Sequence, residues 1–238
     1  MRIQTSSYYQ PSKNHGALLL QHYQVETVHL CFGCICPAED PDKGKAAGYF
    51  TEQLLHWFRS LPWRKLSRDP EKYILRTEIK LQKVIKRTVE ELTSSNLLSP
   101  KEHISFAGIF CISEYFFLFC QGTPEIYLLN RNLGRGAIQC ISDNLASSDD
   151  KPTNFIRGLL QTDVGLLLAT DTFCTNVDRQ ELKDCLYVKE VQTEDRARRH
   201  LQELGDRSET RGGRHMGAIL IQTMTDEETA LDGQWKGE

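Results

Sequence analysis

Long apolar runs are missing from this chain. The longest, Tyr115–Cys120, has six residues, whereas a membrane-spanning helix takes about 20. No early segment joins a basic start, an apolar stretch and a small-residue cleavage site, so no signal peptide is expected. An excess of charge is missing too: 29 Lys and Arg oppose 32 Asp and Glu, for a net charge of −3. That balance gives no electrostatic reason to expect nucleic acid or an anionic membrane as partner. Repeats and low-complexity blocks are absent. The expectation is a cytoplasmic chain.

Cysteine is present, eight times in 238 residues, but without the density or spacing of a secreted disulfide scaffold. Cys111, Cys120 and Cys140 lie inside apolar strand-like runs and read as small buried thiols in a reduced cytosol. Cys31-x-x-Cys34-x-Cys36 lacks the second cysteine pair of a zinc ribbon. Strand alternation puts Cys34 and Cys36 on one face and Cys31 on the other. No Cys-x5-Arg phosphatase loop starts at Cys36, because the residue six positions on is Asp42.

An apolar content of 39% and a charged content of 26% describe a globular chain able to bury roughly 70% of its unfolded surface. The length fits one domain, residues 1–224, with a polar, flexible tail at 225–238. Ala17–His22 and Thr27–Phe32 read as strands joined by a turn. Phe50, Leu54, Leu55 and Phe58 have helical spacing, with Pro62 as the stop. Ile74, Leu81, Ile85, Val89 and Leu92 define one face of a long amphipathic helix over Glu71–Leu92, with its charges on the solvated side. Leu54, Trp57, Phe58 and Trp63 read as helix core, with Trp57 and Trp63 available to a binding surface.

From Ile104 the period shortens to that of a β-meander: Ile104–Ile112, Tyr115–Cys120, Ile126–Asn130 and Gly136–Ile141. Ser142–Asn154 reads as a surface loop, and a strand follows around Leu166. Helices are expected near Asp178–Leu186, with Asp178 and Glu181 spaced as a capping box, and over Thr193–Leu204, with Gly205 as its stop. Arg207–Arg214 reads as a loop before the last strand, Gly217–Thr223. Strands, two helices, strands, two helices and a strand make an α+β order.

Several anchors within this order carry a resemblance. The strand Leu166-Leu-Leu-Ala-Thr-Asp171 ends on a single aspartate. Gly122-Thr-Pro-Glu125 turns into Ile126-Tyr-Leu128, Arg211-Gly-Gly213 precedes the final strand, and Gly44 matches a glycine that opens the first helix of a known family. Across nearly its whole length the chain resembles the PP2C-type (PPM) metal-dependent Ser/Thr protein phosphatases. The resemblance implies an α-β-β-α sandwich, two central antiparallel sheets flanked by helices. In that family, carboxylates hold two Mn or Mg ions, and a metal-bridging water attacks phosphoserine or phosphothreonine. The chemistry needs hard oxygen ligands and two metals clamped together.

Carried over position by position, the site looks dismantled. The family's opening Asn-Glu-Asp falls on Asn14-His15-Gly16. Its metal-bridging aspartate falls on Cys36, the partner glycine on Pro37, and the next two glycines on Glu39 and Asp40. The Gly-Asp-Ser-Arg turn is Gly122-Thr123-Pro124-Glu125. The Asp-Gly strand end keeps Asp171 but has Thr172, and the late Asp-Asn pair is His215-Met216. Arg2 and Lys13 are poorly placed to replace the phosphate-binding arginine. The short connection between meander and Leu166 strand implies a reduced flap. Motifs that carry fold are kept, and motifs that carry chemistry are replaced.

The resulting expectation is a pseudophosphatase without catalytic residues. By family association it would bind or regulate a Ser/Thr kinase or phosphoprotein. The alternative is an atypical protein Ser/Thr phosphatase with a substituted metal site. His15, Cys36, Asp171 and His215 take positions that converge in the family, and two imidazoles, a thiolate and a carboxylate make a tetrahedral zinc set. A Cys36 nucleophile with His15 or His215 as base ranks below zinc. His22, His29, His56, His103 and His200 read as ordinary sheet or surface histidines.

Overall fold

The computed structural model describes residues 2–10, 16–38, 40–100, 102–130, 137–142, 153–162, 164–186, 194–213 and 216–224. His15, His215 and the tail 225–238 lie outside them, as does most of the loop expected at 142–154. The strands are β1 Arg2–Tyr9, β2 Ala17–Val25, β3 Val28–Cys36, β4 Phe106–Ile112, β5 Tyr115–Gln121, β6 Glu125–Asn130, β7 Ala137–Cys140, β8 Asn154–Leu159, β9 Val164–Ala169 and β10 Gly217–Met224. The helices are α1 Pro41–Arg59, α2 Trp63–Arg68, α3 Pro70–Ser94, α4 Asp171–Asn176, α5 Arg179–Leu186 and α6 Glu194–Thr210.

The strands form two five-stranded sheets, ordered β1-β10-β9-β6-β7 and β2-β3-β4-β5-β8, and all described pairings are antiparallel. Strand alternation sorts the core into layers. On β3, Phe32, Cys34 and Cys36 join the cluster made with α1 and α3. Cys31 and Ile35 join the cluster between the sheets, with Leu166, Leu168, Ile219 and Ile221. A third cluster places Leu167, Ala218 and Leu220 against Phe173, Leu201 and Leu204 of α4 and α6. The order helix, sheet, sheet, helix is the expected α-β-β-α sandwich, an α+β fold.

Local chemistry fixes several boundaries. Asp40 caps α1 by accepting from the Asp42 and Lys43 amides at 3.0 and 2.9 Å, and Pro41 opens the helix where no donor is needed. Asp178 and Glu181 form the reciprocal capping box, at 2.8 and 3.1 Å. Arg211 pairs with Glu181 through both guanidinium Nη atoms, at 2.5 and 2.6 Å. This holds the Glu181 carboxyl down at about 2.

Four elements were not legible as such in the sequence: β1, β8, α2 and α4. β1 carries Gln4 and Ser6 on its buried side and so shows no apolar alternation. β8 is an edge strand, half-buried along most of its length and exposing Leu159. A correction concerns Gly205, which does not end α6; the helix runs on to Thr210. A Cβ on Gly205 would lie 2.2 Å from the Tyr8 ring, so the glycine marks a close helix–strand approach.

Glu78 of α3 is buried, 5% exposed, forms an ion pair with Arg157 on β8 at 3.0 Å, and accepts a hydrogen bond from the Gln82 amide at 3.2 Å. Burial pushes its carboxyl up, and Arg157 opposes only part of that shift. A carboxylate with a raised folded pKa contributes stability below its unfolded pKa and loses it as pH rises through the folded value. Wild type is therefore expected to lose stability relative to Glu78→Gln between acid and neutral pH. Urea midpoints across that range check this; a difference that stays constant would exclude Glu78 as its source.

Candidate functional site

Asp171 sits where β9 gives way to α4. Thr170 caps that helix, and its hydroxyl accepts from the Phe173 and Gly217 amides at 3.4 and 3.2 Å. Its own amide donates to the Gly217 carbonyl at 2.9 Å. The junction is thereby pinned to the start of β10. Asp171 becomes the first residue of α4, half-buried at one end of the sandwich.

At that end lies a cavity of about 200 Å³ lined by elements from across the chain. Pro37 and Ala38 come from the segment just after β3, and Lys43 and Ala46 from the start of α1. His103, Ile104 and Ser105 come from the connection into β4, Thr123 from the β5–β6 turn, and Asp171 and Thr172 from α4. Gly122 makes part of this possible. Its φ is +81°, and a Cβ there would lie 2.2 Å from the Ser105 hydroxyl. The glycine of that turn is thus required by backbone shape, independently of chemistry.

Of the positions carried over from the resemblance, Pro37, Thr123, Asp171 and Thr172 line this cavity. Gly16 has φ +80° and would bring a Cβ to 3.0 Å of the Cys36 carbonyl and 3.5 Å of Pro37. The described side chains at the other expected positions make contacts of their own. Cys36 is 1% exposed, donates its thiol to the Ser105 carbonyl at 3.2 Å, and packs with Phe32 and Phe50 against α1. Burial, reinforced by Cys34, holds its pKa well above the ordinary thiol value, which disfavours the thiolate that ligation or nucleophilic attack needs. Met216, at the place of the family's asparagine, is fully buried under α6. Glu125, at the place of its arginine, accepts from the Tyr127 hydroxyl.

The described lining does not fit a pair of hard cations. Asp171 is its only carboxylate, and Lys43 and His103 bring basic groups to the same space. Among the described residues, no three His, Cys, Asp or Glu side chains are placed to hold one metal ion. His15 and His215, half of the suggested zinc set, are outside those residues. Sequence reasoning missed Lys43, His103 and Ser105 as cavity residues. The place of Lys43 in the first turn of α1, which Asp40 caps, was the signal available for it. His103 and Ser105 reach the cavity only through the path of the α3–β4 connection.

No protein-family model matches the sequence, and no curated protein does. Solved structures do match. PppA of Pseudomonas aeruginosa, described as a key regulatory component of T6SS, aligns with a TM-score of 0.64 at 14% identity, over 94% of this chain and 99% of that one. The Ser/Thr phosphatase of S. agalactiae aligns at 0.62 and 11% identity, over 94% and 100%. The catalytic domain of PstP, solved with two manganese ions, aligns at 0.59 and 10% identity, over 92% and 96%. Among the described residues, no helix is long and apolar enough to cross a membrane. With two antiparallel sheets between helical layers and near-complete overlap with these enzymes, the chain has the fold of the PP2C-type Ser/Thr protein phosphatases.

Proposed function

We propose that the protein is a PP2C-fold pseudophosphatase, a binding or regulatory module in Ser/Thr phosphorylation signalling. One observation carries the reading: the cavity at the sandwich end has a single described carboxylate, Asp171, and its lining also includes Lys43 and His103. Two divalent ions in one site require several hard anionic ligands to offset their mutual repulsion and their lost hydration. A lysine at that place works against metal binding. The same lining can receive an anionic side chain, with Lys43 supplying charge and the Ser105, Thr123 and Thr172 hydroxyls supplying hydrogen bonds. A kinase or phosphoprotein is the partner this chemistry suits. The regulatory role described for PppA supports a regulatory rather than metabolic setting.

The test is hydrolysis of a phosphothreonine peptide by purified protein with Mn, Mg or Zn, beside Asp171→Ala. No metal-dependent turnover is expected, and the variant should match wild type. Turnover that the substitution abolishes would establish the atypical phosphatase instead, with Asp171 as a metal ligand. Metal analysis of the purified protein separates out the zinc set, since bound zinc in stoichiometric amount would support it.

A further inference from the structure

A run of basic residues lies on one outer layer, and two of them, Lys86 and Arg87, are paired with Glu90 and Glu91 at 4.0 and 2.7 Å. From Arg59 to Arg87 there are ten Lys and Arg against three acidic residues, a net +7 in a chain of −3. These residues form the end of α1, all of α2 and most of α3, the helices that cover the second sheet. All ten basic residues are exposed. Of the three acids, Glu78 is buried and already held by Arg157. Among the described residues, Arg59, Arg64, Lys65, Arg68, Lys80 and Lys83 enter no ion pair. Lys72 and Arg76 instead flank the Tyr73 ring at 5.9 and 5.8 Å.

The apolar side chains within this layer are the second observation. Leu75 and Ile79, one helical turn apart on α3, are each 43% exposed. Helical spacing sets Glu71 and Lys72 beside Leu75, and Arg76 and Lys83 beside Ile79, on the solvent side. At the start of α2, half-buried Trp63 lies with Arg64 and Lys65 around a shallow apolar depression. Tyr23, 40% exposed, packs on that tryptophan at 6.0 Å. Exposed leucine and isoleucine flanked by Lys and Arg, with aromatic rings at one end, is the pattern of a helix that lies in a lipid–water interface.

We propose that this face docks on an anionic lipid surface, with α3 lying flat and Leu75 and Ile79 entering the headgroup layer. Charge complementarity supplies the attraction, each basic residue near such a surface adding roughly fivefold to partition. A polyanion bound only through its charges would leave Leu75 and Ile79 without a role. The net charge of −3, which argued against a membrane partner, averages over this segregation. Docking uses the outer helical face and is independent of the reading given to the cavity.

The test is co-sedimentation of the whole chain with vesicles of phosphatidylcholine alone or with one third phosphatidylglycerol. Binding is expected only to the anionic vesicles and should weaken with added salt. Lys72→Glu with Lys83→Glu should lower it by roughly tenfold or more. Leu75→Ser with Ile79→Ser, which keeps every charge, should lower it severalfold. All four positions are exposed, and unchanged thermal unfolding would confirm that the variants fold. Equal partition to both vesicle types, or none to either, would overturn the proposal. So would loss with the charge variant but not with the serine variant, an outcome that assigns the face to an acidic protein or a nucleic acid.

Discussion

Gly108→Ala is expected to destabilise the protein by about 3 kcal/mol, as overpacking of a rigid core does. The same substitution in a Phe119→Ala background should cost less than about 1 kcal/mol, because contacting residues couple strongly. Gly108 on β4 pairs directly with Phe119 on β5, whose ring lies over it. A Cβ at Gly108 would fall 2.0 Å from a ring atom. The ring has no room to step aside. It is fully buried, stacked on Phe32 and Phe155 at 6.1 and 5.9 Å, and tilted against Phe106 at 6.0 Å. Phe119→Ala alone removes those contacts and leaves a cavity, for a cost of about 3–5 kcal/mol. Urea unfolding of wild type, both single variants and the double variant gives the coupling. Additive costs would show that Gly108 is not there to accommodate the ring.

Gly205→Ala is expected to cost about 2 kcal/mol, net of the helix propensity it gains. At an unhindered helical site the same change would stabilise by about 1 kcal/mol. The sign turns on Tyr8, since a Cβ at Gly205 would lie 2.2 to 2.5 Å from three of its ring atoms. Tyr8 is itself nearly buried, packed against Phe173 at 6.2 Å. Pushing α6 outward would open the layer formed by Ala197, Leu201 and Leu204. In a Tyr8→Ala background the alanine should become stabilising. Thermal and urea unfolding decide the matter, and a gain in stability in the wild-type background would show that α6 is free to shift.

These two glycines also mark how far the sequence could be read. Periodicity disclosed α1, α3 and the strands from β4 to β7, because each buries one face in a regular rhythm. It gave Gly205 as a helix stop, because composition cannot tell a terminating glycine from one that makes room for a ring on another element. β1 escaped because the side of the strand under α6 carries Gln4 and Ser6, so no apolar alternation appears. β8 escaped because an edge strand can stay half exposed.

For the site, motif order located Asp171, Thr123 and the neighbourhood of Cys36 at one end of the sandwich, and the cavity lies there. It did not foresee that the Cys36 thiol would turn to a backbone carbonyl, nor that Lys43 and His103 would line the space. Side-chain direction at a strand end depends on where the chain bends next.

The sequence by itself determined the α+β order, the long amphipathic helix and the capping box at Asp178 and Glu181. Each is a local matter of spacing or identity. Only the tertiary structure decided that Asp171 shares a cavity with Lys43, and that the basic residues from Arg59 to Arg87 are all exposed on one helical layer. Both depend on the packing of elements far apart in the chain. Net charge is a sum and carries no positions, whereas an electrostatic surface exists only once the sheets and helices have chosen their neighbours.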